Sequence, residues 1–344
     1  MVRQRCATRP FRYRPRPYHR PPVNVRSGTR LRGAALVALA ATCFGTLGPL
    51  TRFGSENGID PLPLVTWRAA LGALLVLVVV AARAARGRTS FVPFAAVARR
   101  EWALQAIGIV SGATLNLGLF LAFGRISIAL ALLIFYSYPT LVSVFSALRF
   151  GEPFDRFRGT ALASTLAGLA LVLAGAGGVG ALDPIGVGLA LLAGLAQMFY
   201  VLAARHGFPN VPTLQAATIT MGGGAVLYLL LGGVVGTLPG ILQPLATPTA
   251  FAIALVAGFI GAGIPTLAFI GGIRLLGPPR AAILSTLEPV VGVLLAAVLL
   301  SEVPSLLQAF GGGLVIAGGV LAQLGPEAAP AEHEAVAPEP GDAM

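Results

Sequence analysis

The chain has 344 residues, 56% of them hydrophobic and only 11% charged, whereas soluble domains run near ~25% charged. That composition excludes a soluble globular class and makes the lipid bilayer a partner. A net charge of +11 does not point to nucleic acid, because ten arginines crowd residues 1–32, five acids crowd residues 325–344, and lysine is absent.

In chain order, residues 1–32 form an Arg- and Pro-rich tail that reads as disordered and serves as a topology determinant. Apolar windows of about 20 residues, the length that crosses the hydrocarbon core as a helix, then recur. Ten are predicted, near 33–51, 62–82, 102–124, 126–148, 159–180, 184–204, 211–236, 250–273, 281–301 and 304–324. A signal peptide is the competing reading of the first, with Ala38-Leu39-Ala40 as a cleavage mimic. The window is span-length, however, and Arg52 closes it. Barrel strands would alternate in polarity, and these runs are uninterrupted. Residues 207–273 carry no charge, and their division falls at Thr237–Pro248, where three prolines and a glycine cannot continue a helix. Residues 325–344 form an acidic tail that reads as disordered.

With the N-terminus inside, 21 arginines fall on inside segments, while Arg52 and Arg125 fall outside and Arg68 lies within a helix. The asymmetry places both termini in the cytoplasm of a multi-pass protein of the cell's inner membrane. An offset of 150 residues superposes Pro139 on Pro289, Glu152 on Glu302, Gly168 on Gly318 and Gly175 on Gly325. Each half, 33–180 and 184–324, then holds five spans, and an odd number forces the halves into opposite orientations. Inverted repeats of this kind mark secondary transporters with a site near the midplane. Pro139 and Pro289 each remove a helical donor and disturb the carbonyl of Phe135 or Ser285; as a matched pair they are hinge candidates.

Glu288 is the only acid inside a span-length apolar run. A carboxylate at such depth costs about 2.5–3.5 kcal/mol, and desolvation favours its neutral form, so Glu288 is a candidate for substrate binding and proton coupling. Arg68, ~9 Å below the outer edge at 1.5 Å per residue, either snorkels outward or aims its fork at a substrate carboxylate. If it turns inward, Trp67 points elsewhere. Asn116, Tyr138, Gln197 and Tyr200 complete the candidate substrate-binding set, Gln197 and Tyr200 sharing a helix face. Gln215, Tyr136 and Ser137 belong to the wider polar inventory, for which plain interhelical bonding is the alternative. The glycine clusters at 222–224, 258–263 and 311–313 read as intramolecular packing, with a homodimer seam as the alternative use. Two separated cysteines, Cys6 and Cys43, offer no metal cluster. Without a histidine in any span or a P-loop, neither cofactor nor enzymatic chemistry is expected.

The runs Thr66-Trp67-Arg68-Ala69-Ala70-Leu71-Gly72, Tyr138-Pro139-Thr140, Gly151-Glu152-Pro153, Leu287-Glu288-Pro289-Val290 and Ser301-Glu302 resemble an EamA-type transporter of the drug/metabolite transporter superfamily over residues 33–324. The resemblance implies an all-α integral membrane fold of ten transmembrane helices in two inverted five-helix repeats. It also implies a central cavity, alternating access and export of amino acids or related small-molecule substrates. A facilitator, an importer, or a membrane scaffold or enzyme are the alternative classes. The family more often has glycine where Ser301 stands, which implies a less mobile helix end here. Glu152 and Glu302 are expected to order the turns at their helix ends, not to bind ligand.

Overall fold

The computed structural model describes residues 27–87, 92–150, 156–175, 183–205, 211–276, 281 and 284–324. Its helices are α1 (Ser27–Gly45), α2 (Leu47–Glu56), α3 (Pro61–Ala85), α4 (Arg99–Phe123), α5 (Ile128–Phe135), α6 (Tyr138–Phe150), α7 (Arg156–Gly175), α8 (Pro184–Arg205), α9 (Thr213–Val234), α10 (Pro248–Gly258), α11 (Ile264–Leu276), α12 (Leu287–Leu300) and α13 (Leu306–Leu324). By length and hydropathy eight helical stretches can cross a membrane, and Leu287–Leu300 and Leu306–Leu321 are shorter apolar helices. Helix α1 begins at Ser27, ahead of the expected start at 33. Glu152 and the rest of both tails lie outside the described residues.

Local chemistry explains the helix starts. Pro61 and Pro248 occupy first-turn positions, where the missing N–H costs nothing. Ser127 and Thr247 cap α5 and α10 by accepting from Leu130 N and Ala250 N at 3.3 and 3.1 Å. Between α9 and α10, the proline-rich stretch becomes a 3₁₀ turn at Leu238–Leu245. Helix α12 ends at Ser301, which holds φ 57°, the left-handed region. That backbone favours glycine at a helix C-terminus, and Ser301 adopts it here with a side chain.

Interruptions occur where the repeats predict them. The α5–α6 span breaks at Tyr136 and Ser137, just before Pro139, and the chain turns at Thr286, just before Pro289. The two breaks sit at the 150-residue offset. Another interruption, a π turn at Phe259–Gly263, joins α10 to α11.

All eight residues of α5 are buried, and glycines on four other helices make room for it. A side chain at Gly48 would meet Ile128, at Gly292 would meet Leu132, at Gly312 would meet Leu133, and at Gly194 would meet the Phe135 carbonyl, with the added carbon 2.5–3.2 Å away. Helices α2, α12, α13 and α8 therefore close around α5. Gly168 and Gly311 bring α7 and α13 into backbone contact in the same way, which is the intramolecular packing expected of membrane glycines.

Hydrogen bonds between connecting segments sort into two ends of the bundle. At one end Asp60 N meets Gln243 Oε1, Trp67 Nε1 meets Ile241 O, and Ser305 Oγ meets Gly175 O, at 2.8, 2.8 and 3.1 Å. At the other, Gln215 clasps Val92, accepting from its N–H at 3.0 Å and donating to its carbonyl at 2.7 Å. Gln215 is thus an end clasp and no part of a central site.

Candidate functional site

Arg68 turns into the bundle instead of snorkelling. It is 8% exposed, with Nε donating to the Gly261 carbonyl at 3.2 Å and Nη1 to Asn116 Oδ1 at 2.6 Å. Its guanidinium lies 5.8 Å from the Phe120 ring centre, within cation–π range. Trp67, one residue earlier, points the other way and packs edge-on against Phe251 at 6.1 Å.

Both anchors of Arg68 have identifiable origins. Asn116 is itself fixed, since Nδ2 donates to Gly112 O at 2.8 Å one turn back on α4. Gly261 lies in the π turn, where the regular ladder is interrupted and the carbonyl receives a side-chain donor. A side chain at Gly261 would strike Leu47, with its first carbon 2.7 Å from Cδ2. The glycine cluster at 258–263 therefore shapes the site as well as the packing. A guanidinium carries five N–H donors. Among the described residues, two of them are seen engaged on this framework.

Glu288 sits in the first turn of α12, just past the break, with the Tyr136 side chain beside it. Arg68 and Glu288 are close enough for each to feel the other's charge. Even so, neither belongs to an ion pair among the described residues. The sequence places them at different depths, and the structure keeps a gap between them.

Tyr138 lies beside Gln197, and the Tyr136 and Tyr138 rings lie 5.8 Å apart. Tyr200, one turn beyond Gln197, lies against Gly112, with the position of an added carbon there 3.5 Å from its ring. The six predicted binding residues thus fall into two neighbouring groups. Arg68 and Asn116 form one, with Tyr200 against the preceding turn of α4. Glu288, Tyr138 and Gln197 form the other, joined by Tyr136. Sequence reasoning underrated Tyr136 and missed the Gly261 carbonyl, Phe120 and Tyr228. The Tyr228 hydroxyl donates to Ala113 O at 2.9 Å, and its ring lies near enough to Arg68 to feel its charge. Pro139 and Pro289 are both buried behind this region.

The chemistry available is a cationic fork on one side and a carboxyl on the other, with tyrosine hydroxyls and a glutamine amide between. The EamA-like transporter family matches residues 31–174 and 184–323. The chain belongs to the EamA-like transporter family. It is accordingly a multi-pass membrane transporter, and the two matched segments are its two repeats. A solved structure described as "Crystal structure of protein" is similar at 25% identity and TM-score 0.56, covering 86% of this chain and 96% of its own. No curated protein matches.

At the Arg52 end, Glu302 behaves differently from expectation. It accepts a backbone hydrogen bond, but from Ile128 N at the start of α5, at 2.8 Å, and not from its own turn. Its other oxygen pairs with Arg52 Nη2 at 3.2 Å, and that nitrogen also donates to Ile126 O at 3.1 Å.

Proposed function

We propose that this EamA family member is a secondary transporter of the cytoplasmic membrane, with ten crossings and both termini inside, that exports a small amino-acid-like or amphiphilic metabolite by alternating access coupled to proton entry. One observation carries the reading. Arg68 is held inside the bundle by Asn116 and Gly261, with no carboxylate paired to it among the described residues. A buried, unpaired cation is costly, and a substrate carboxylate gripped by the fork would offset that cost in the loaded state. Glu288 supplies the complementary group. In this scheme it holds a proton and the Tyr136 bond in one facing state and releases the proton in the other, with Pro139 and Pro289 as hinges for the exchange.

The test is Glu288→Gln in proteoliposomes, which keeps shape and hydrogen bonding but cannot titrate. Uphill transport driven by a proton gradient should collapse, while counterflow of labelled amino acids without a gradient persists. Unchanged, pH-responsive uphill transport would rule the coupling role out and favour an uncoupled facilitator. Absence of counterflow across a broad amino-acid panel would argue against the substrate class.

A further inference from the structure

Two glutamates at the ends of α12 lie near the two ends of α5. Glu288 lies beside Tyr136, which follows the last turn of α5. Glu302 holds Ile128 N, in its first turn. Between them α5 makes no excursion to the surface, since all eight of its residues are buried and four glycine notches seat it. Displacement of either end must therefore be felt at the other.

The end held by Glu302 is also where the halves of the molecule meet. Arg52 comes from the first span and Glu302 from the ninth. Both bind the segment that starts the fourth, through Ile126 O and Ile128 N. Outside this contact lies an open pocket of ≈ 420 Å³, lined by Arg125, Ser127, Leu130, Asp183, Ser301 and Glu302 among others. The pocket does not include the residues of the central site. Of the Arg52–Glu302 contact, Glu302 forms part of its wall.

The strength of the contact fits a part that opens. The two side chains are 30% and 21% exposed, and ion pairs in contact with water contribute little. What makes this one specific is the pair of charge-assisted bonds to backbone groups. The left-handed turn at Ser301 supports it, because Glu302 N there bonds back to Ala296 O at 3.2 Å.

We propose that Arg52 and Glu302 form an outer gate, and that Glu302 is a positioning residue which sets the seat of α5 and hence the place of Tyr136 in the central site. The proposal rests on the alternating-access reading given above. Closing the gate seats α5, and seated α5 presents Tyr136 to Glu288. Opening it frees the start of α5, joins the outer pocket to the site, and withdraws Tyr136 from the carboxyl.

Two measurements test this on the full chain in proteoliposomes, in a background with Cys6→Ser and Cys43→Ser. In the first, Ser137→Cys, at the break beside the site, reports access to an impermeant maleimide applied from outside. Glu302→Gln or Arg52→Gln should speed labelling about tenfold, the scale of one lost charge-assisted hydrogen bond. Unchanged labelling in both variants would overturn the gate. The second, made without the Ser137 reporter, joins Arg52→Cys to Glu302→Cys with a short bifunctional thiol reagent. The bridge should stop counterflow of labelled amino acids, and reduction should restore it. Continued counterflow with the bridge in place would show a static brace and overturn the proposal. If the parent chain shows no counterflow at all, the transport reading fails, and the labelling rates still decide the gate.

Discussion

Arg52 and Arg68 lie sixteen positions apart in the sequence and are treated in opposite ways by the fold. Arg52, at the edge of the bundle, has a carboxylate partner in Glu302 at 3.2 Å. Arg68, inside it, has neutral acceptors among the described residues, a carbonyl and an amide. Stability alone would place the carboxylate with the buried arginine, where an uncompensated charge costs most. On the proposed transport reading, the reversal fits an interior kept ready for a substrate and an edge where charge joins protein to protein.

The largest effect is expected from removing the interior charge. Arg68→Ala should lower apparent affinity for carboxylate-bearing substrates on the order of 100-fold, the loss of two charge-assisted hydrogen bonds, measured as half-saturation of counterflow. Lysine should rescue poorly, since it lacks the planar fork. Normal transport by Arg68→Ala would show that the fork is only part of the packing.

A second variant makes the interior resemble the edge. Asn116→Asp puts a carboxylate where the amide oxygen now receives Nη1. Affinity for carboxylate substrates should fall about tenfold, or ~1.4 kcal/mol, while the thermal midpoint of the purified protein rises because the buried cation gains a partner. An unchanged midpoint would mean that Arg68 is already neutralised by a group not yet identified.

The smallest effect belongs to the other edge pair, Arg125 with Asp183 at 2.9 Å. The hydrogen bond from Arg125, aided by the N–H groups of Ile185 and Gly186, holds the Asp183 carboxyl below the ordinary carboxylate range. Because the folded value is depressed, its contribution is present above the unfolded-state value and is lost as pH falls through the folded one. Acidification below the usual carboxylate range should therefore lower the thermal midpoint slightly. Asp183→Asn, which still caps α8, should remove that component of the slope. An identical acid slope in both proteins would show that the pair contributes nothing.

Much of the frame was legible because membrane helices leave few alternatives. Uninterrupted apolar runs had to be helices, and the prolines at matched offsets foretold breaks that appear at Tyr136 and Thr286. The inward turn of Arg68 was not legible, since its depth permits both directions and only Asn116 and Gly261 decide. Nor was the role of Glu302, whose partners lie 174 and 250 positions away in the sequence. Tyr136 was obscured by Tyr138, because a run of three polar residues spans most of a helix and composition cannot say which one meets the opposite wall. The left-handed backbone at Ser301 was not legible either, since serine does not signal it as glycine would.

The glycine seats around α5 also bear on how the chain is built. Three of the four, at Gly194, Gly292 and Gly312, belong to segments synthesised after α5. During insertion the eight-residue helix must wait beside lipid, which its apolar side chains tolerate as well as they tolerate protein. Its enclosure can be completed only after α13 has been made. Helix α13 therefore closes the center of the fold, and a chain stopped short of Gly312 would carry most of the described spans and still lack this innermost packing.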